Sequence, residues 1–349
     1  MIYILPFIIS FVLAFLITPT VKNFLIKRNL AISEIRKRDI HIKPIPRLGG
    51  VAVFLSFILV ILGYLIIKPD SLIFLTDSQE KFLGIDRNLF GLILGAVVLI
   101  IVGAIDDIRG MNPWMKLFWQ IVSSVIITYF GIHITHFANP FGGLEVELGN
   151  WTYVFATIWI VLIVNVMNWL DGVDGLVGGI SPIALIILAI LSVRMDQPAT
   201  ALITIILAGS VLGFLPYNFN PAKIFLGDSG SMFLGFMIAI AAIISGGKIA
   251  TVGLVLGIPI LDAVWVIIRR IVSGKSVVQA DKYHLHHRFL EAGFTQKQTV
   301  FIFYLVSALF GIVALQNGTH GKVVASLWLL IIMVIIGIGL IILRKRKNV

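Results

Sequence analysis

Apolar residues run through this chain in long blocks separated by short polar segments. The blocks fall at about 2–26, 48–67, 89–105, 116–134, 151–170, 175–193, 199–217, 229–246, 249–268, 299–316 and 322–343. Each approaches the ~20 residues a helix needs to cross a bilayer. The pattern predicts an all-α polytopic membrane protein with about eleven transmembrane helices in one domain spanning 1–349. An odd count places the two termini on opposite sides. No internal repeat or low-complexity segment interrupts the series. Met1–Ile26 lacks a basic leading region and a small-residue cleavage site, so it reads as a retained first helix.

Composition agrees with this pattern and adds an orientation. The 349 residues are 59% hydrophobic and 13% charged, and the mean hydropathy is +1.04. Cysteine is absent, which excludes structural disulfides and thiolate metal sites. Lys and Arg exceed Asp and Glu by 27 to 17. One set of interhelical segments, including 22–47, 269–297 and the tail Arg344–Lys347, holds 21 of the basic residues, and the opposite set holds 6. The positive-inside bias places the richer set in the cytoplasm and the N-terminus outside. The surplus is therefore a topology signal, not a sign of nucleic-acid binding.

The acidic residues follow the same division. Asp70, Asp77, Glu80, Asp86, Glu145, Glu147 and Asp196 are scattered on the outer side, where His133, His136 and His320 also fall without a role. Every cluster lies on the inner side. Asp106-Asp107 ends the third block, and Lys116 follows nine residues later, placed to neutralise a phosphate. Adjacent carboxylates repel, so a cation is expected near them. Asn165-Val-Met-Asn168-Trp-Leu-Asp171-Gly-Val-Asp174-Gly175 ends the fifth block. Spacings of three put Asn168, Asp171 and Asp174 on one helix face, and oxygen donors on one face suit Mg²⁺. Phe225-Leu-Gly227-Asp228-Ser-Gly230 opens the eighth block with a carboxylate, a tight turn and a ring able to stack on a base.

His284-Leu-His286-His287-Arg288 offers four groups able to donate to phosphate oxygens, with a zinc site as the rival reading. Lys43 and Arg47, beside Gly49-Gly50, could also approach a phosphate. Asp262 stands seven residues before Arg269, about 10 Å along a helix, and reads as a structural partner for a basic residue. A proton-coupled transporter would place its acids near helix centres, often in paired halves. Here they gather at helix ends on one side.

Together these motifs, in order from Pro46-Arg47-Leu-Gly49-Gly50 to His287, resemble the polyprenyl-phosphate N-acetylhexosamine-1-phosphate transferase family. The resemblance implies a multi-pass enzyme of the bacterial cytoplasmic membrane, with its site facing the cytoplasm. It would move GlcNAc-1-phosphate from UDP-GlcNAc to undecaprenyl phosphate with Mg²⁺, or Mn²⁺ in its place, releasing UMP. It further implies Asp106 and Asp107 as the aspartate pair, with Asp106 as base toward the lipid phosphate, and Lys116 as the phosphate lysine. Asp228 would be the principal metal ligand, helped by Asn168, Asp107 or Asp171. Phe225 and Asp174 would hold uracil, and His284, His286 and His287 the diphosphate or sugar. A homodimer through membrane helices also follows from the family. The His-x-His-His form resembles the GlcNAc-1-phosphate branch that starts teichoic-acid or lipopolysaccharide synthesis. The UDP-MurNAc-pentapeptide branch is the alternative.

Overall fold

The computed structural model describes residues 2–32, 45–74, 80–137, 139, 145–245, 249–274 and 284–347. Thirteen helices form among them. They are α1 (Ile4–Arg28), α2 (Gly49–Ile67), α3 (Arg87–Arg109), α4 (Pro113–Tyr129), α5 (Thr152–Leu170), α6 (Leu176–Arg194) and α7 (Pro198–Asn218). There follow α8 (Gly227–Ile244), α9 (Ile249–Val255), α10 (Gly257–Val272), α11 (Leu285–Ala292), α12 (Gln296–Gln316) and α13 (Thr319–Lys347). Among the described residues, nine helices are long and apolar enough to cross a membrane, or ten if α9 and α10 form one bent span. The chain is thus an all-α polytopic membrane protein. The run expected at 116–134 forms α4, whose 17 residues lie at the short end of what crosses a bilayer.

One expected straight span is corrected. The run 249–268 breaks at Leu256, and its halves, α9 and α10, meet at 83°. Gly257 and Pro259 open the second half. A proline lacks an amide proton, and that loss matters least in a helix's first turn, where amides have no intrahelical acceptor.

Burial ranks the helices. In α8, 89% of the apolar window is buried, against 22% in α1 and 17% in α13. α8 is therefore the central helix, flanked by α3, α5 and α2. α1 and α13 turn Leu16, Trp328 and Ile335 outward, as a lipid-facing surface requires. Lys322, expected in a loop, is instead buried in α13, with its Nζ 2.8 Å from Thr251 Oγ1.

Short connections make successive helices antiparallel. The ends of α3, α5 and α7 and the starts of α2, α4, α6 and α8 therefore gather at one end of the bundle. The opposite end carries two hairpins, β1 (Lys81–Phe82) with β2 (Ile85–Asp86) and β3 (His136–Phe137) with β4 (Val146–Glu147). There Asp86 caps α3 through the amides of Asn88 and Leu89, at 2.9 and 3.0 Å.

Candidate active site

At the first end, charges far apart in sequence become neighbours. Asp106 closes α3 and Lys116 opens α4. Lys116 Nζ stands 2.6 Å from Asp106 Oδ2 and 2.5 Å from Asp228 Oδ2, in the first turn of α8. The ammonium therefore sits between two carboxylates that would otherwise repel.

Asp107 has a different task from its neighbour. Its Oδ1 accepts the Asp228 amide at 2.9 Å, and its Oδ2 accepts the Ser229 amide at 3.1 Å and the Ser229 hydroxyl at 2.8 Å. Leu226, at the N-cap of α8, offers no side-chain acceptor, so Asp107 supplies the cap from another helix. Asp107, expected also as a metal ligand, is thus engaged by three protein donors as a cap for α8. Gly227 adopts φ +76° in this turn, and a Cβ there would lie 2.5 Å from Asp107 Oδ2. Only glycine fits at that position.

The fifth helix ends at the same place. The Asn168 carboxamide reaches Ser231 Oγ at 3.0 Å and also bonds the Asp228 carboxylate. One turn deeper, Asn165 Nδ2 donates to Gln120 Oε1 at 2.7 Å, locking α5 to α4. Gln120 lies four residues after Lys116, so the i,i+4 spacing could have flagged it. Asp171, just past α5, accepts the Gly227 amide. Burial, then the facing Asp228 and Asp107 carboxylates, holds its carboxyl well above the usual range, while Arg47 and that amide pull the other way.

Asp174 is buried, and its Oδ2 accepts Asn220 Nδ2 and the Ala222 amide, each at 3.1 Å. Asn220 also bonds Gln296 at the start of α12. Asp174, expected to contact a base, thus anchors the α7–α8 loop through Oδ2. Phe225, on that loop, is half-buried. Its amide bonds Pro46 O at 2.8 Å, and its carbonyl accepts the Gly49 amide at 2.9 Å. Gly49 and Gly50 therefore serve close packing against this loop, not a phosphate. The Arg47 side chain is exposed beside the site, and Lys43 lies outside the described residues.

The histidines stack over the same region. His284 and His286 are parallel, with centroids 5.6 Å apart, and His286 and His287 stand 4.4 Å apart. His286 is buried, its Nδ1 has no hydrogen-bond partner among the described residues, and its Nε2 points at Gly172. Burial, then the neighbouring His287 and His284, pushes its imidazole well below its ordinary value. Arg288 is half-buried on α11. Asp262 does pair with a base: His284 Nδ1 stands 2.9 Å from its Oδ2.

Among the described residues, no three His, Asp or Glu side chains are arranged to hold a metal by themselves. The donors near Lys116 are hard oxygens from Asp228, Asp106 and Asn168. One or two carboxylates completed by substrate phosphates is the coordination Mg²⁺ commonly takes, so the residues present fit that ion.

Comparison with known proteins agrees with this chemistry. Residues 89–246 match the family model described as glycosyl transferase family 4. The chain is 32% identical over 339 residues to a probable undecaprenyl-phosphate N-acetylglucosaminyl 1-phosphate transferase of Bacillus subtilis, covering 95% of this chain and 88% of that one. It is 32% identical over 302 residues to the decaprenyl-phosphate N-acetylglucosaminephosphotransferase of Mycobacterium tuberculosis, covering 79% and 72%. It is 28% identical over 328 residues to a phospho-N-acetylmuramoyl-pentapeptide-transferase of Staphylococcus epidermidis, covering 91% and 98%.

Proposed function

We propose that this chain, which belongs to the polyprenyl-phosphate N-acetylhexosamine-1-phosphate transferases of glycosyl transferase family 4, transfers GlcNAc-1-phosphate from UDP-GlcNAc to a polyprenyl phosphate. The observation that carries the reading is the Asp106–Lys116–Asp228 cluster at one end of the bundle, with Asn168 and Asp171 beside it. We place that end at the cytoplasm of a bacterial membrane, with eleven crossings. A soluble nucleotide sugar then meets the site from water, and the lipid tail reaches it from the bilayer.

In the reaction, an oxygen of the polyprenyl phosphate bonds to the sugar-linked phosphorus. The bond between the two phosphates of the donor breaks, and UMP leaves. Lys116 and Arg47 neutralise phosphate charge. Asp106 orients the attacking phosphate or takes its proton. Because the second pKa of such a phosphate is ~6, it is largely a dianion at neutral pH, and orientation carries more of the effect. Attack through an aspartyl-phosphate is the alternative route. Phe225 stacks on the base, on a loop that Asp174 holds. Mg²⁺, held by Asp228 and Asn168 when bound, would neutralise charge on the donor diphosphate.

The test is Asp228→Asn in detergent with polyprenyl phosphate and either UDP-GlcNAc or UDP-MurNAc-pentapeptide. Wild-type protein should release UMP from UDP-GlcNAc, and the variant should release none. Near-normal turnover would remove Asp228 from the site, and a preference for the pentapeptide donor would favour the alternative branch.

A further inference from the structure

Asp262 lies on α10 and is buried at 6% exposure, yet it serves one short segment with both oxygens. Its Oδ2 is 2.9 Å from His284 Nδ1, and its Oδ1 accepts the Leu285 amide at 2.8 Å. The two bonds are coupled. His284 is the N-cap of α11 and makes no side-chain cap of its own, so the Leu285 amide needs an outside acceptor. The 83° break before α10 turns Asp262 toward that segment.

The chemistry of the ring follows. A carboxylate only accepts, so His284 Nδ1 must carry a hydrogen, and a neutral ring is then left with a lone pair on Nε2. The ring plane is held as well, within 3° of the His286 ring. His286 Nε2 in turn would stand 2.8 Å from a Cβ at Gly172, the residue next to Asp171. The locked imidazole, stacked on the His286 ring, thus stands one ring away from the residue next to Asp171.

We propose that Asp262 is a positioning residue: it locks His284 in the Nδ1–H form, so that Nε2 accepts a hydrogen bond from a hydroxyl or N–H of the donor's sugar. A lone pair at Nε2 selects a hydrogen-bond donor and disfavours a phosphate oxygen. The proposal rests on the transferase reading for the identity of the sugar, but the tautomer can be measured without substrate.

Asp262→Asn reverses the polarity with little change of shape. The Leu285 amide still requires the carbonyl oxygen, which leaves the Asn amide nitrogen facing His284 Nδ1 and forces the Nε2–H form. Nitrogen-15 spectra of histidine-labelled full-length protein, with the His284 signal assigned by its absence in His284→Gln, should show Nδ1–H in wild type and in Asp262→Glu. Asp262→Asn should show Nε2–H. In the UMP-release assay, Asp262→Asn should lower kcat/KM by roughly 10–100-fold, the scale seen when a ligand's orienting partner is removed. Asp262→Glu should restore most of it, and the double variant with His284→Gln should be no worse than His284→Gln alone.

An Nε2–H signal in wild type would overturn the lock, and this arm needs no folded Asp262→Asn. Additive losses in the double variant would overturn it too, reducing Asp262 to a cap for α11. Absence of UMP release from wild type with either donor would instead defeat the transferase reading, with the tautomer assignment still decided by the spectra.

Discussion

Gly50 carries none of the chemistry, yet its replacement by alanine should be among the most damaging small changes in this protein. α2 crosses the first turn of α8 at this glycine, and the Gly50 amide donates to Leu226 O at 2.8 Å. A Cβ at Gly50 would stand 2.7 Å from the Ser229 carbonyl carbon, and nearer still to Gly230 N and Cα. Ordinary contact begins at 3.4 Å, so backbone must yield by about 0.7 Å or more. The atoms in the way are main chain, which cannot rotate aside. The displaced turn carries Asp228, whose carboxylate is 2.5 Å from Lys116, and Ser229, which Asp107 holds. Misplacement of about 1 Å can cost 10²-fold in rate, so Gly50→Ala should lower kcat roughly 10- to 100-fold while the protein still inserts. Gly63 lies on the same helix, and a Cβ there meets nothing within 4 Å. Gly63→Ala should therefore be silent or slightly stabilising. The assay is UMP release in detergent, normalised to monodisperse protein. Gly50→Ala turning over within about twofold of wild type, or Gly63→Ala losing as much, would refute the claim that this backbone contact sets the position of Asp228.

Two further outcomes follow from the polar groups around the site. The folded chain keeps a proton on Asp171 to a higher pH than the unfolded chain, where a carboxyl titrates near about 3.9. Its contribution to stability therefore declines as pH rises above that value. Asp171→Asn should raise the thermal midpoint at pH 7–8 and flatten its pH dependence while abolishing transfer; a lower midpoint at pH 8 would contradict this. Gln120→Leu leaves the Asn165 carboxamide without its cross-helix partner and should cost roughly 0.6–2 kcal/mol of stability. Gln120→Leu with Asn165→Leu should recover part of that loss, as removing both partners does, and a double variant weaker than either single one would deny that the pair holds α4 to α5.

Much of this site was legible in the sequence because two simple signals coincide. Helices alternate direction, and clustered acids recur only at every second turn. Asp106, Lys116, Asp171 and Asp228 could therefore be assigned to one end without any knowledge of packing. Which carboxylate does what could not be assigned. Adjacent residues on a helix point about 100° apart, so Asp106 meets Lys116 while Asp107 meets the amides of α8, and that split depends on where α8 packs. The anchoring of the α7–α8 loop by Asp174 was hidden for a similar reason: its partners, Asn220 and Ala222, lie 46 and 48 residues away. The 83° break left a trace in Gly257-Ile-Pro259, inside an apolar run long enough to pass for one straight span. The pairing of Asp262 with His284 left none, because the partners lie 22 residues apart with no periodic spacing to join them.

The central claim is that this site moves a phosphate together with the sugar. Full-length protein can be given UDP-GlcNAc labelled separately in the sugar and in the sugar-linked phosphorus, together with polyprenyl phosphate and Mg²⁺. Both labels should pass into the lipid fraction in equal amounts, with UMP as the nucleotide released. Sugar label entering the lipid without the phosphorus, with UDP left behind, would contradict the account.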